Sequence, residues 1–194
     1  MIADTVINLT DVLTLIVHDM IRGTEEFRNF DINRILICCA SNRRDGRGAI
    51  YGKLLPMRFK DGSSIINHNG KYYTIPKLKV NGSEIFYIIY FYIPRFFDLS
   101  AKDKIKVMFH ELYHINPEFN GDIRRMGKVK SAHGHSRKAF EEKYIEYAEN
   151  FFKEIKDTPY CNFMAMNSDD LKNFFRKIQY RRIKQIKPVL LDKN

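Results

Sequence analysis

The sequence predicts an α+β fold in which a mainly antiparallel sheet is followed by helices. Three observations predict it. Short β-branched and aromatic runs recur between residues 34 and 93 with Asn-Gly pairs between them, the apolar period lengthens after Pro94, and the N-terminal segment carries helical spacing of its own. At 194 residues, 44% of them hydrophobic and 13% aromatic, the chain can bury one real core but not two comfortable ones.

The opening "MIADTVINLTDVLTLIVHDM" reads as an amphipathic helix, and it lacks the basic region of a signal peptide, so no cleaved leader is expected. Val12, Leu13, Ile16, Val17, Met20 and Ile21 give the helix, from about residue 10 to 28, its apolar face, with Thr10 or Asp11 as N-cap. "RILICCA" reads as a buried strand and "GAIYGKLLPMRF" as a second, with Gly48 and Gly52 near its start. "GKYYTIPKLK" and "EIFYIIYFYI" follow, and Asn69-Gly70 and Asn81-Gly82 mark turns. Ser100 with Asp103 starts a helix whose apolar face is Ile105, Val107, Met108, Leu112 and Ile115, and Pro117 stops it. A further helix is expected from Ser136 to Ile155, with Phe140, Tyr144, Tyr147, Ala148 and Phe151 on one side. A last helix is N-capped by Ser168. Residues 1–160 are expected to form the main domain and 161–194 a basic helix or tail packed on it or extending from it.

The apolar run "IFYIIYFYIPRFF" is too short to span a bilayer as a helix, so no membrane association is expected. Cys38, Cys39 and Cys161 build neither a disulfide framework nor a metal knuckle, which fits a reducing, cytoplasmic setting. The formal charge of +10 and pI near 9.5 are concentrated near the C-terminus. There Arg176, Lys177, Arg181, Arg182 and Lys184 are candidate contacts to nucleic acid phosphates.

The segment "VMFHELYHINPEFNG" carries H-E-x-x-H. Residues four apart on a helix lie on one face, so His110 and His114 can present two imidazoles to one Zn²⁺. Glu111, beside them, is a candidate base that is not itself a ligand. A third ligand is sought by elimination. Pro117 and Asn120 stand where a metzincin needs Gly and His, and Asn120 also excludes the compact three-histidine pattern of YbeY-type proteins. Glu141, Glu142 and Asp122 are carboxylate alternatives. His135 is preferred because it opens the next helix, and His133 remains the alternative third ligand. With three imidazoles on zinc, a coordinated water is acidified, Glu111 takes its proton and later hands it to the leaving amine, and a peptide bond is hydrolysed. Arg124 and Arg125 are candidate oxyanion or substrate contacts. An extended protein or peptide substrate would pair with an edge strand from "EIFYIIYFYI" or "GAIYGKLLPMRF".

The run "HELYHINPEFNGDIRRMGKVKSAHGHSRKAF", with "ASNRRDGRGAIYGKLLPMRF" and "IPRFFDLSAKDKIKVMFHELYHI" upstream, resembles the phage-type metallopeptidases, a group similar to SprT-like and YgjP-type zincins. The resemblance covers roughly residues 34 to 155. It implies a minimal zincin-like fold, with the sheet packed against the H-E-x-x-H helix and a ligand arriving from the following helix. It also implies His110, His114 and His135 as zinc ligands and Glu111 as catalytic acid/base. Two features depart from the SprT-like pattern: no cysteine-rich ribbon follows, and His135 stands one residue further from Phe140. The competing reading is a basic nucleic-acid-binding protein with a structural or vestigial zinc site. Glu111 discriminates against it, because a structural site needs no carboxylate beside its ligands and closes its fourth position with Cys or His.

Overall fold

A computed structural model describes residues 3–41, 50–126 and 136–191. The chain opens with strand β1 (Ala3–Asn8) where helix was expected, and helix α1 (Leu9–Gly23) follows directly. The cap lies earlier than expected too: Asn8 accepts from the Thr10 N–H at 3.1 Å, so neither Thr10 nor Asp11 opens the helix. The correction has a distant cause. The partner of β1 lies near the far end of the chain, beyond the reach of local periodicity.

Next come β2 (Ile35–Ser41), β3 (Gly52–Pro56), the hairpin of β4 (Ile65–His68) and β5 (Lys71–Thr74), the short hairpin of β6 (Lys79–Val80) and β7 (Ser83–Glu84), and β8 (Tyr87–Ile93). Both Asn-Gly pairs fall in these hairpin turns, and Asn69, Gly70, Asn81 and Gly82 all take positive φ, which explains the residue types. "GKYYTIPKLK" is not one strand. Pro76, which has no N–H to give, lies between β5 and β6.

The described strands pair mainly antiparallel, as expected, but form four small sheets rather than one. The central one is mixed, with order β2-β8-β3, β2 running parallel to β8 and β3 antiparallel to it. A parallel pair needs a long crossover, and here the segment from β3 to β7 supplies it. Alternation along β2 and β8 sorts their side chains. Ile35, Ile37, Cys39, Tyr87, Ile89 and Phe91 face the main core with α1 and the H-E-x-x-H helix α2 (Ala101–Tyr113). Leu36, Cys38, Ile88 and Tyr90 form a second core on the opposite face. The aromatic residues Tyr87, Tyr90, Phe91, Phe96 and Phe97 are all buried in these cores, with Phe86 and Tyr92 half-buried beside them. Burial pushes the Cys38 thiol up to about 11 and Cys39 up to about 12, so both act as apolar side chains.

The expected helix over 136–155 is broken. It becomes α3 (Arg137–Glu141) and α4 (Ile145–Glu154), with Tyr144 at the joint in a non-helical conformation (φ −122°, ψ −7°). Helix α5 (Pro159–Ala165) was not foreseen. Helix α6 (Ser168–Phe174) is capped by Asn167 in a reciprocal box with Asp170, one residue before the expected cap. After α6 the basic segment is extended rather than helical: β9 (Phe175–Gln179) pairs parallel with β1, and β10 (Val189–Leu190) pairs with β5. Between them Arg181 accepts at its carbonyl from Cys39 N–H (2.9 Å), and Ile183 and Ile186 cover the second core. None of the described helices is long and apolar enough to cross a membrane.

Lys104 of α2 is fully buried, and its Nζ donates to the carbonyls of Met164 (2.7 Å) and Met166 (2.6 Å) at the end of α5. Desolvation pushes its pKa down from 10.5 to about 8. The unfolded chain keeps this proton at pH values where the folded chain has released it. The group's contribution is therefore fully present above 10.5 and is lost as pH falls through 8. Urea denaturation should show wild type gaining on Lys104→Met between those pH values, by on the order of 2–3 kcal/mol.

Candidate metal centre and substrate cleft

Helix α2 builds the site with two faces. Its N-terminus is fixed by Ser100, whose Oγ accepts from the Asp103 N–H (3.1 Å) and donates to the Asp103 carboxylate (2.7 Å). Ile105, Met108, Phe109 and Leu112 anchor one face in the core. The other face, at i, i+3, i+4 spacing, presents Asp103, Lys106, Val107, His110, Glu111 and His114 to a cleft of about 840 Å³.

The two imidazoles converge, with His110 Nε2 and His114 Nε2 3.1 Å apart. His110 Nδ1 lies 3.1 Å from the Tyr144 hydroxyl. The Phe140 ring stacks on His114 at 4.6 Å with an interplanar angle of 22°. His114 ends the helix, and its carbonyl accepts from the Arg124 N–H at 2.7 Å, which anchors the loop that leads away from the motif. Two nitrogens this close can both reach one ion at the roughly 2.0–2.1 Å typical of zinc–imidazole bonds. The donor pair therefore fits a divalent transition metal. Among the described residues no group of three or more His, Cys, Asp or Glu side chains gathers around such a point. His133 and His135 lie outside the described residues.

Glu111 is buried and lines the cleft. It packs directly on β3: a Cβ on Gly52 would lie 2.8 Å from Glu111 Oε1 and 2.9 Å from its Cγ. Only glycine fits there without moving the carboxylate. Strand β3 is the edge of the central sheet, and Tyr51, Gly52, Lys53, Leu54 and Pro56 line the cleft beside α2. Tyr92 N–H donates to the Tyr51 carbonyl and Met57 N–H to the Phe86 carbonyl, so the odd positions of this stretch face β8. By the alternation of an antiparallel ladder, the N–H and C=O groups of Gly52 and Leu54 point away from β8, to the edge that no other described strand pairs with, and Pro56 has only a carbonyl to offer.

The other sequence candidates separate. Glu141 lines the cleft, whereas Glu142 is exposed and does not. The Asp122 carboxylate is occupied by the Asp61 and Ile123 N–H groups and by Arg125, at 2.8 to 3.2 Å. Arg124 stacks its guanidinium 4.0 Å above the Tyr113 ring and pairs with Glu26 at 2.7 Å. Neither Arg124 nor Arg125 lines the cleft; both hold the loop after the motif. Arg181 is a clamp, donating from Nη1 to the Ile37 carbonyl at 3.0 Å, while Arg176, Lys177, Arg182 and Lys184 are exposed along the extended tail. Sequence reading missed Gly52 and Tyr144 as parts of the site. Each looked like an ordinary strand or helix residue, and only tertiary packing brings them to Glu111 and His110.

Residues 9–159 match the family described as "Putative phage metallopeptidase". No curated protein and no solved structure matches. The matched span runs from α1 through α4 and so contains the central sheet with β3 at its edge, and the helix that carries the two imidazoles and Glu111. On that match over most of its length, the chain belongs to the phage metallopeptidase family.

Proposed function

We propose that this protein is a zinc-dependent peptidase in which His110, His114 and His135, or His133 in its place, hold the ion and Glu111 is the general base and acid. The observation that carries this reading is the pair of Nε2 atoms 3.1 Å apart on a helix whose Glu111 lines the same cleft as β3, a strand whose outer edge pairs with no other described strand. When bound, the ion supplies Lewis acidity, acidifying water and polarising a carbonyl. The chain supplies the rest. Gly52 and Leu54 pair with an extended substrate through up to four backbone hydrogen bonds, and Pro56 closes one end of that ladder. Leu54, Leu99, Val107 and Ile123 give the cleft apolar walls for substrate side chains. Glu111, held against Gly52, accepts a proton as the nucleophile forms and returns it to the departing amine.

The test is hydrolysis of a labelled unfolded polypeptide by the full-length protein. Cleavage should vanish on chelation and return with stoichiometric zinc. Zinc-loaded protein that leaves every extended substrate intact would contradict the reading. The packing of Glu111 gives a finer prediction: Gly52→Ala should lower kcat at least about tenfold while zinc binding is retained, because the methyl group forces the carboxylate off its position and a catalytic group tolerates only roughly 0.5 Å. Unchanged kcat in this variant would show that the contact with β3 does not position the base.

A further inference from the structure

We infer that Tyr144 is a positioning residue for His110, its hydroxyl accepting a hydrogen bond from His110 Nδ1–H and thereby fixing the tautomer in which Nε2 is the ligating nitrogen. The inference rests on the metal-site reading above and assigns a role to a residue outside the H-E-x-x-H motif. Tyr144 is buried at the joint between α3 and α4, where the chain leaves helical geometry. Phe140 and Tyr144 stand four residues apart and meet the two imidazoles together. Phe140 lies flat on His114, while Tyr144 meets His110 edge-on at 5.7 Å with its oxygen 3.1 Å from Nδ1.

The direction of that hydrogen bond is selected by what metal binding requires of the His110–His114 pair. Were the hydroxyl the donor, the neutral His110 ring would carry its proton on Nε2, pointing at His114 Nε2 only 3.1 Å away. A proton there occupies the position a cation needs. With the hydroxyl as acceptor, the Nε2 lone pair turns toward the cleft, and both imidazoles offer lone pairs to one point. A ring that merely fills space would have no need of the oxygen. Phenylalanine already does that work at position 140.

The experiment compares full-length wild type, Tyr144→Phe and the same-helix control Tyr147→Phe. It measures zinc affinity by chelator competition and the ring ¹⁵N shifts of His110 in metal-free protein at about pH 8, where an ordinary imidazole is neutral. Wild-type His110 should be the Nδ1–H tautomer. Tyr144→Phe should give a tautomer mixture and bind zinc about 10–100-fold more weakly. Tyr147→Phe should stay within about twofold of wild type. A Tyr144→Phe affinity within that same margin, or an Nε2–H tautomer in the wild type, would overturn the inference while leaving the peptidase reading intact. The wild-type tautomer alone decides the matter if Tyr144→Phe fails to fold. Wild type that takes up no zinc overturns both.

Discussion

Glu111→Gln is expected to lower kcat by about 10²–10⁴-fold, the usual contribution of a general acid–base group, with zinc stoichiometry unchanged. The amide keeps the size and shape of the carboxylate, so it still fits against Gly52, where the space is too small even for a methyl group. What it loses is the capacity to take up and return a proton. The base is not one of the proposed ligands, so metal uptake should be insensitive to the change. A variant that keeps wild-type kcat would remove Glu111 from the reaction. One that loses zinc as well would instead place Glu111 among the ligands.

The second large effect is structural. Asp122→Ala should destabilise the protein by about 3 kcal/mol, equivalent to a fall of about 6–12 °C in Tm for a chain of this size. Asp122 is buried, and its carboxylate accepts from two backbone N–H groups and from Arg125. Its carbonyl accepts from the Tyr87 hydroxyl at 2.9 Å, and the same hydroxyl accepts from the Gly121 N–H at 2.8 Å. Removing the side chain takes the acceptor from the half-buried Ile123 N–H, at a cost of about 1–3 kcal/mol if it is left unpaired, and from the N–H of exposed Asp61, which water can reach. Arg125, partly exposed, recovers part of its loss by hydration. The loop held this way also holds His114 through the Arg124 N–H, so zinc affinity should fall alongside stability. Thermal unfolding and zinc titration of one preparation measure both. A Tm within about 2 °C of wild type would show that the loop is held by other contacts.

The α2 helix, its Ser100 cap and the pairing of His110 with His114 were legible in sequence because they depend on spacing within one helix. The Asn-Gly turns were legible because positive φ selects those residues. The parallel pairing of β2 with β8 was not, since nothing local distinguishes a buried parallel strand from an antiparallel one. Nor was β1. Its first residues read as part of the following helix, and their partner lies in the basic tail, which itself read as helix because its apolar residues Phe175, Ile178, Ile183 and Ile186 fall three and five apart rather than at alternate positions. The sequence named the motif residues that line the cleft, while the contacts of Gly52 with Glu111 and of Tyr144 with His110 could not be read from it. Those contacts arise where β3 and the α3–α4 joint meet α2, and neither meeting is encoded in a spacing.

The most direct test of the central claim is the zinc content of purified protein, stripped by chelation and reloaded, beside His110→Ala, His114→Ala, His133→Ala and His135→Ala. The account predicts one zinc per chain in the wild type, loss of tight binding on removal of His110 or His114, and a comparable loss for His135 but not His133. The reverse order for the last two would install His133 as the third ligand. A wild type that binds no zinc, or binding that survives the loss of both His110 and His114, would contradict the account.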